Sequence, residues 1–356
     1  MKELTAILKA WRAHPGERMA LATIVKTEGS SYRRPGARML IRENGETIGS
    51  ISGGCLEQDV IAHAKGVLET GETKLLSYDT TPEEDVMFGV GLGCKGVIEI
   101  LVEPVQKAAA SLAAVEALFQ RGETGVIATV FRTNGSISAR IGDRPSLANA
   151  DLEEALRTRR STSRLFEVEG GSMEVFIEVV EVPASLFIFG AGYDAIPLCK
   201  MAAELGFRVN VIDRRPAYAT RERFPEADAV QVLEPPTIAK LGLNERSAAV
   251  VMAHHYNTDR DFLRALAPLP LRYLGVMGPR RRAEKMIQEF REEGLMVGDD
   301  FLGKLHNPIG LDIGAEGPEQ IALAILSEIQ AAFAGHTGGS LREKKGPIHS
   351  PRSKLE

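Results

Sequence analysis

The stretch Ser50-Ile51-Ser52-Gly53-Gly54-Cys55-Leu56-Glu57 places a thiol directly after paired glycines and directly before an amphipathic run. Leu56, Val60, Ile61, Ala64, Val67 and Leu68 recur at helical spacing up to Gly71, a residue suited to a left-handed stop. The spacing predicts a helix whose N-terminus lies at or next to Cys55. Free backbone N–H groups and the helix dipole at such a point favour a thiolate or a bound anion. The competing reading is a small apolar residue packed at the start of a helix. Upstream, Thr27 to Met39 reads T-E-G-S-S-Y-R-R-P-G-A-R-M. Ser30, Ser31, Arg33, Arg34 and Arg38 bring hydroxyls and guanidinium forks that, with the Gly53 and Gly54 backbone, suit an oxyanion. A plain solvated turn is the alternative there. A second glycine loop, Gly91-Leu92-Gly93-Cys94-Lys95-Gly96, carries another thiol, and Cys55 and Cys94 are expected to converge in space.

Composition bounds the function classes. A chain of 356 residues has room for two domains with their own cores. Its 44% hydrophobic and 26% charged residues are ordinary for a soluble globular protein. A net charge of −5 argues against broad nucleic-acid binding, so any anion site is local. No apolar run reaches the roughly 18 residues of a membrane helix, and Met1-Lys2-Glu3-Leu4 opens an amphipathic helix instead of a signal peptide. The three cysteines, Cys55, Cys94 and Cys199, form no C-x-x-C pair and no even disulfide set, which fits a reducing, cytoplasmic setting. Cys199 falls in an apolar helical pattern and reads as core.

Residues 1–182 are expected to form a mixed α/β domain. Its order is helix, strand (Met19 to Lys26), arginine loop, strand (Arg38 to Arg42), a turn at Asn44-Gly45, a strand into the Gly53-Gly54 loop, its helix, and a strand from Gly96 to Glu103 that ends at Pro104. A helix rich in Ala and Leu follows, then alternating runs at Gly125 to Arg132 and Ser136 to Ile141, an acidic helix near Asp151, and a hairpin at Gly170-Gly171. These later elements are expected to complete the first sheet. After about Gly335 the chain, to Glu356, lacks periodicity and is rich in Gly, Lys, Ser and Pro, so disorder is expected.

The pattern changes after Val182-Pro183, and 183–334 reads as a Rossmann-like, doubly wound parallel sheet. Leu186 to Phe189 is a short apolar strand, followed by Gly190-Ala191-Gly192-Tyr193-Asp194-Ala195 and a helix. A second strand ends in Asp213, about 20 residues after Gly192, the usual place of a ribose-binding carboxylate. Arg214 and Arg215 suit a phosphate, so NAD, NADP and a phosphorylated pterin all stay open; a scaffold kept only for packing is the bland reading. Two later apolar strands end in His254-His255 and in Gly278-Pro279-Arg280-Arg281-Arg282, on the sheet edge where such folds bind ligands. Either histidine suits proton transfer or substrate orientation near neutral pH. Arg280 and Arg281 open a helix, where cations oppose the dipole, which points to a bound anion or an acidic partner.

Several of these motifs occur together in one family. G-S-S-x-R-R-P-G-A-R-M, then G-x-I-S-G-G-C-L-E, G-V-M-G-P-R-R-R, and P-I-G-L-D-I-G-A ahead of P-E-x-I-A resemble the XdhC/CoxI family, the xanthine dehydrogenase accessory factors. The resemblance covers roughly residues 15 to 330. Two motifs depart from the family pattern: Tyr193 and then Asp194 follow a fingerprint that commonly reads G-A-G-H, and Lys95 stands where a second glycine is frequent.

The resemblance implies a molybdenum cofactor (molybdopterin) chaperone. Such factors bind the cofactor, protect it while a cysteine desulfurase supports its sulfuration, and pass it to an apo xanthine dehydrogenase-type molybdenum hydroxylase. Molybdopterin carries a phosphate and a soft, sulfur-ligated metal, matching guanidinium and amide donors beside a thiol. On that view Arg33, Arg34 and Arg38 with Gly53-Gly54 hold the anionic end, while Cys55, with Cys94, approaches the molybdenum or handles sulfur. The alternative is an NAD(P)-dependent oxidoreductase using Gly190, Gly192, Asp213 and His254 or His255, and a third reading is a scaffold that binds only proteins. The interdomain cleft is the first place to look for a ligand. A homodimer is expected by frequency alone.

Overall fold

A strand segment that is apolar at nearly every position must be covered on both faces, and residues 19–25 of the strand Met19–Gly29 are such a segment: Met19, Ala20, Leu21, Ala22, Ile24 and Val25 are all buried. The computed structural model describes residues 2–29, 31–79, 96–295 and 297–345. The chain divides into Met1–Val182 and Pro183–Glu356.

The first unit opens with α1 (Lys2–Ala13), β1 (Met19–Gly29), β2 (Arg38–Arg42), β3 (Thr47–Gly49), α2 (Glu57–Thr70), β4 (Lys74–Asp79) and β5 (Gly96–Pro104). Its sheet runs β3-β2-β1-β5-β4 with every pairing antiparallel. Ala20, Ala22, Ile24, Met39 and Ile41 pack under Leu56, Val60, Ala64 and Val67, so α2 covers one face. Met19, Leu21 and Leu40 face Ile7 and Leu8 of α1 and the apolar stripe of α3 (Val105–Arg121) on the other.

Next come β6 (Gly125–Gly135), α4 (Asn149–Thr158), β7 (Thr162–Val168) and β8 (Gly171–Val180). Here the structure corrects two expectations. These strands do not complete the first sheet; they form a separate sheet, β6-β8-β7. The run Ser136 to Ile141 is no strand. Behind it, Arg140 and Asp143 close a turn, and Gly142 and Asp143 exchange backbone hydrogen bonds with Val130, occupying β6 where a further strand would pair.

Val25 and Leu101 of the first sheet meet Phe131 and Phe176 of the second, and charges surround that apolar contact. Arg38 donates through both terminal nitrogens to Glu178, with Nη1 2.6 Å from Oε1, and both side chains are under 10% exposed. Arg132 joins Glu99 and Glu174, Lys26 also reaches Glu174, and Arg144 holds Glu103. A small cavity beside them is lined by Thr23, Arg38, Glu103, Thr129 and Arg144.

The second unit carries β9 (Ser185–Phe189), α5 (Ala195–Glu204), β10 (Arg208–Asp213), β11 (Ala229–Val232), β12 (Ser247–Val251), α6 (Tyr256–Leu266), β13 (Tyr273–Val276), α7 (Arg280–Glu292), α8 (Asp299–Lys304), β14 (Leu305–His306) and α9 (Pro318–Ala334). All neighbours in the order β11-β10-β9-β12-β13-β14 are parallel. This is a Rossmann-type, doubly wound sheet whose order reverses between β9 and β12. One core lies under α5 and α9, the other under α6 and α7. After Gly335 closes α9, the described tail includes a 3-10 turn at Leu341–Glu343. The predicted disorder of residues 346–356 lies outside the described residues.

Replacing Arg38 by Met leaves the Glu178 carboxylate buried and unpaired, which is expected to cost about 3–5 kcal/mol in urea unfolding of the full chain. A second change, Glu178→Leu, removes the orphaned charge and is expected to return most of that loss.

Candidate functional site

The register places the arginine turn and the cysteine loop at one end of the first sheet. Thr23 pairs with Arg38, and Met39 with Gly49, so residues 31–37 and 50–56 both leave from that end. The Tyr32 ring then lies against Gly53, whose Cβ position would be 3.8 Å from it. The two motifs are thus neighbours.

Cys55 is exposed, and α2 begins two residues after it, at Glu57. The expected open ring of amides is partly filled by the chain itself. The Glu57 carboxylate folds back to accept the Ser52 N–H at 2.8 Å and the Ser52 hydroxyl. Ser52 Oγ in turn accepts the N–H groups of Gly54 (3.1 Å) and Leu56 (3.2 Å). Burial pushes the Glu57 carboxyl up, but the Ser52 hydroxyl and amide bonds outweigh it, and the group is held below its ordinary value. A carboxylate in the first turn also satisfies the helix dipole. The loop under the thiol is therefore held by a buried serine and an acid, and Gly54 N–H is not available to an anion.

The arginines divide sharply. Arg33 pairs with Glu3 of α1. Arg38, expected to bind an anion, is buried against Glu178 and turned away from any such role. Ser31 donates its hydroxyl to the Arg33 carbonyl and shapes the turn. Arg34 is exposed with no partner among the described residues. Ser30 and Cys94 lie outside the described residues, and with Cys94 the expected pairing of the two thiols. Cys199 is buried, and burial pushes its thiol up to about 12, which leaves it inert as a nucleophile.

At the crest of the second unit, Gly190 has φ +124° and lies so close to β12 that an added Cβ would sit 2.5 Å from the Met252 carbonyl. Asp213 ends β10 as expected, yet its carboxylate is engaged: Oδ2 accepts the Ala191 N–H at 2.7 Å and Arg215 Nη2 at 2.8 Å, and Oδ1 accepts the Arg215 N–H and Nε at 2.9 Å. Arg214 pairs with Glu234. His254, exposed and with φ +60°, has Nε2 2.7 Å from Asp194 Oδ2. His255 is exposed, and its ring lies 3.3 Å from the Thr258 hydroxyl of the helix that follows it. Arg282 joins buried Asp259 at 2.6 Å, which offsets part of the misfit at the start of α7, while Arg280 and Arg281 stay exposed without a partner among the described residues.

Sequence reasoning missed Glu57, Glu178 and Asp259, and noted Asp194 only as a departure. The available signal was acids standing inside otherwise apolar or helix-opening segments, each of which needs a partner. Among the described residues, no group of three or more His, Cys, Asp or Glu could hold a metal ion, and no helix is long and apolar enough to cross a membrane.

Residues 12–79 match the XdhC and CoxI family and residues 186–329 the XdhC Rossmann domain. The chain is 34% identical to a Bacillus subtilis protein named as a probable subunit of xanthine dehydrogenase, over 88% of this chain and 92% of that protein. It belongs to the XdhC and CoxI family. A second relative, "Molybdenum cofactor insertion chaperone PaoD" of Escherichia coli, is 23% identical over 88% of this chain and 83% of its own length. A crystal structure described as a xanthine dehydrogenase of Bacillus halodurans superposes with a TM-score of 0.76 at 30% identity, covering 95% of this chain and 97% of that one. Both units of this XdhC/CoxI protein are thus family features, Rossmann unit included.

The hydrogen bond to Asp194 raises His254 above its ordinary value near 6.5, against the lowering effect of burial. A raised folded pKa stabilises fully below the unfolded value, and the gain is lost as pH rises through the folded value. NMR titration is expected to place the His254 midpoint above 6.5, with Asp194→Asn moving it down.

Proposed function

We propose that this protein holds molybdenum cofactor and supports its maturation and insertion into a xanthine dehydrogenase-type molybdenum hydroxylase, with the Cys55 loop as the contact surface. The relatives named for xanthine dehydrogenase and for molybdenum cofactor insertion support this role. The observation that carries the local assignment is an exposed thiol on a loop fixed by Ser52 and Glu57, directly beside the arginine turn.

The donors fit the group. Molybdopterin presents a soft, sulfur-ligated metal and a phosphate. Cys55 is a soft donor open to solvent, and Arg34 is an exposed guanidinium on the adjoining turn with no partner among the described residues. Ser52 and Glu57 tie together the loop on either side of the exposed thiol, and Arg38, spent on Glu178, anchors the base of the turn. Support for sulfuration by a cysteine desulfurase is part of the proposal, with Cys55 the candidate to handle sulfur. Its free thiol suits a reducing compartment.

Full-length protein purified from a molybdate-fed host is expected to carry pterin fluorescence. Cys55→Ala and Arg34→Ala are each expected to lower the pterin content and the activation of apo-hydroxylase by roughly ten-fold, as loss of one charge-assisted or metal contact would. Wild-type pterin content and activation in Cys55→Ala would remove the thiol from the site.

A further inference from the structure

A Rossmann sheet receives a dinucleotide at three places: the crevice where the strand order reverses, the amides that open the first helix, and the carboxylate that ends the second strand. In this protein side chains of the chain itself stand at all three: the crevice and the carboxylate are engaged, and an acid that makes no capping bond to the helix amides stands directly before them. The order reverses between β9 and β12. Asp194 follows β9 and His254 follows β12, and their side chains meet at 2.7 Å, so the bond spans that crevice.

Asp194 is also the residue immediately before α5, where a pyrophosphate would meet the helix amides. Its Oδ1 lies 2.8 Å from the position of a Cβ on Gly192, against the glycine whose bareness normally lets phosphate approach. The site that favours a dianionic pyrophosphate therefore already carries a carboxylate of the same sign. Moving that carboxylate would give up its bond to His254, whose backbone is held in the left-handed region at φ +60°.

The ribose end is closed independently. Ribose hydroxyls need a free carboxylate oxygen, and both Asp213 oxygens are engaged by Arg215 and by the Ala191 amide, with the side chain only 4% exposed. The Arg215 guanidinium lies over the Tyr218 ring at 3.8 Å, which fixes it in that pairing. On the other side of the glycine loop, Arg223 Nη1 donates to the Ala191 carbonyl at 2.7 Å and to the Tyr218 carbonyl at 2.9 Å, so the loop is tied down from both ends.

We infer that this Rossmann unit is closed to dinucleotide cofactors, with Asp194 as the residue that excludes the pyrophosphate and Arg215 as the one that masks the ribose acceptor. The fold is retained, and hydride transfer through NAD(H) or NADP(H) is not its chemistry. The inference stands apart from the proposed role of the Cys55 loop, which needs nothing from this crest.

NADH and NADPH titrated into the full-length protein, followed by coenzyme fluorescence and by calorimetry, are expected to show no saturation up to about 1 mM. Asp194→Asn removes the charge while keeping the side chain's shape, and Arg215→Ala frees the Asp213 oxygens. Each is expected to tighten NADH binding on the order of ten-fold, enough for a detectable signal below about 1 mM, and together they bring full saturation into the measured range. Saturation of the unaltered protein at micromolar coenzyme overturns the inference. So does a double variant that melts like the unaltered protein and still fails to saturate. Should the double variant not fold, Asp194→Asn alone decides: detectable NADH binding supports the exclusion, and none overturns it.

Discussion

A guanidinium and a carboxylate removed from water together must satisfy each other, because desolvation costs several kcal/mol per ion. The Arg38–Glu178 pair is where this chain meets that constraint, and the candidate site is built on it. Arg38 begins β2, and Glu178 lies on β8 of the other sheet, so the pair fastens the two layers of the first unit. It also seats the arginine turn: a Cβ on Gly36 would lie 3.4 Å from Glu178 Oε1. The turn so fixed presents Tyr32 to Gly53, and the cysteine loop follows. Position is passed from a buried charge pair to an exposed thiol through two short turns.

The Rossmann unit was legible because β9, β12 and β13 are short buried apolar runs with Gly or His soon after them and β10 ends in Asp, the pattern of a sheet covered on both faces, whereas the partly exposed β11 and the two-residue β14 carry no such signal. In the first unit β1, β2, α2 and the hairpin of β7 and β8 were legible for similar local reasons. The separate three-stranded sheet was not. Alternation reports which face of a strand is buried, not which strand it pairs with, and the choice here rests on remote contacts such as the Ser163 hydroxyl donating to the Val25 carbonyl at 2.6 Å. The site divides along the same line. A thiol after two glycines announces its own exposure. The fate of an arginine depends on where an acid lies in space, and Glu178 is far from Arg38 in sequence. The acids Glu99 and Glu103, embedded in the apolar strand β5, were the visible sign that buried cations were required.

The crest of the second unit separates backbone from occupancy. Glycines at 190 and 192 report a tight turn pressed against Met252 and Asp194, and that geometry is present. An acid at the end of β10 reports a place for a ribose acceptor, and the acid is present too. Neither says whether neighbouring side chains leave the place open. The position before α5 decides it, and a carboxylate there changes the electrostatics of the helix N-terminus without moving the backbone. Fold membership and ligand choice are therefore carried by different residues of the same motif.

The same physics applies at α2, with the opposite consequence for the thiol. Glu57 supplies the negative charge that the helix N-terminus attracts, and Ser52 takes two of the amides, so little of that field is left for a guest. With Arg33 and Arg38 committed to Glu3 and Glu178, the charge complementarity left among the described residues of the turn is the exposed Arg34 guanidinium, and salt screens such a group. Under the proposed function this sparseness is an advantage. A storage protein would surround an anionic cofactor with buried, paired donors and release it slowly. A carrier has to let go, and a rigid loop offering one soft donor and one solvated cation binds through few contacts, each of which the receiving enzyme can replace in turn.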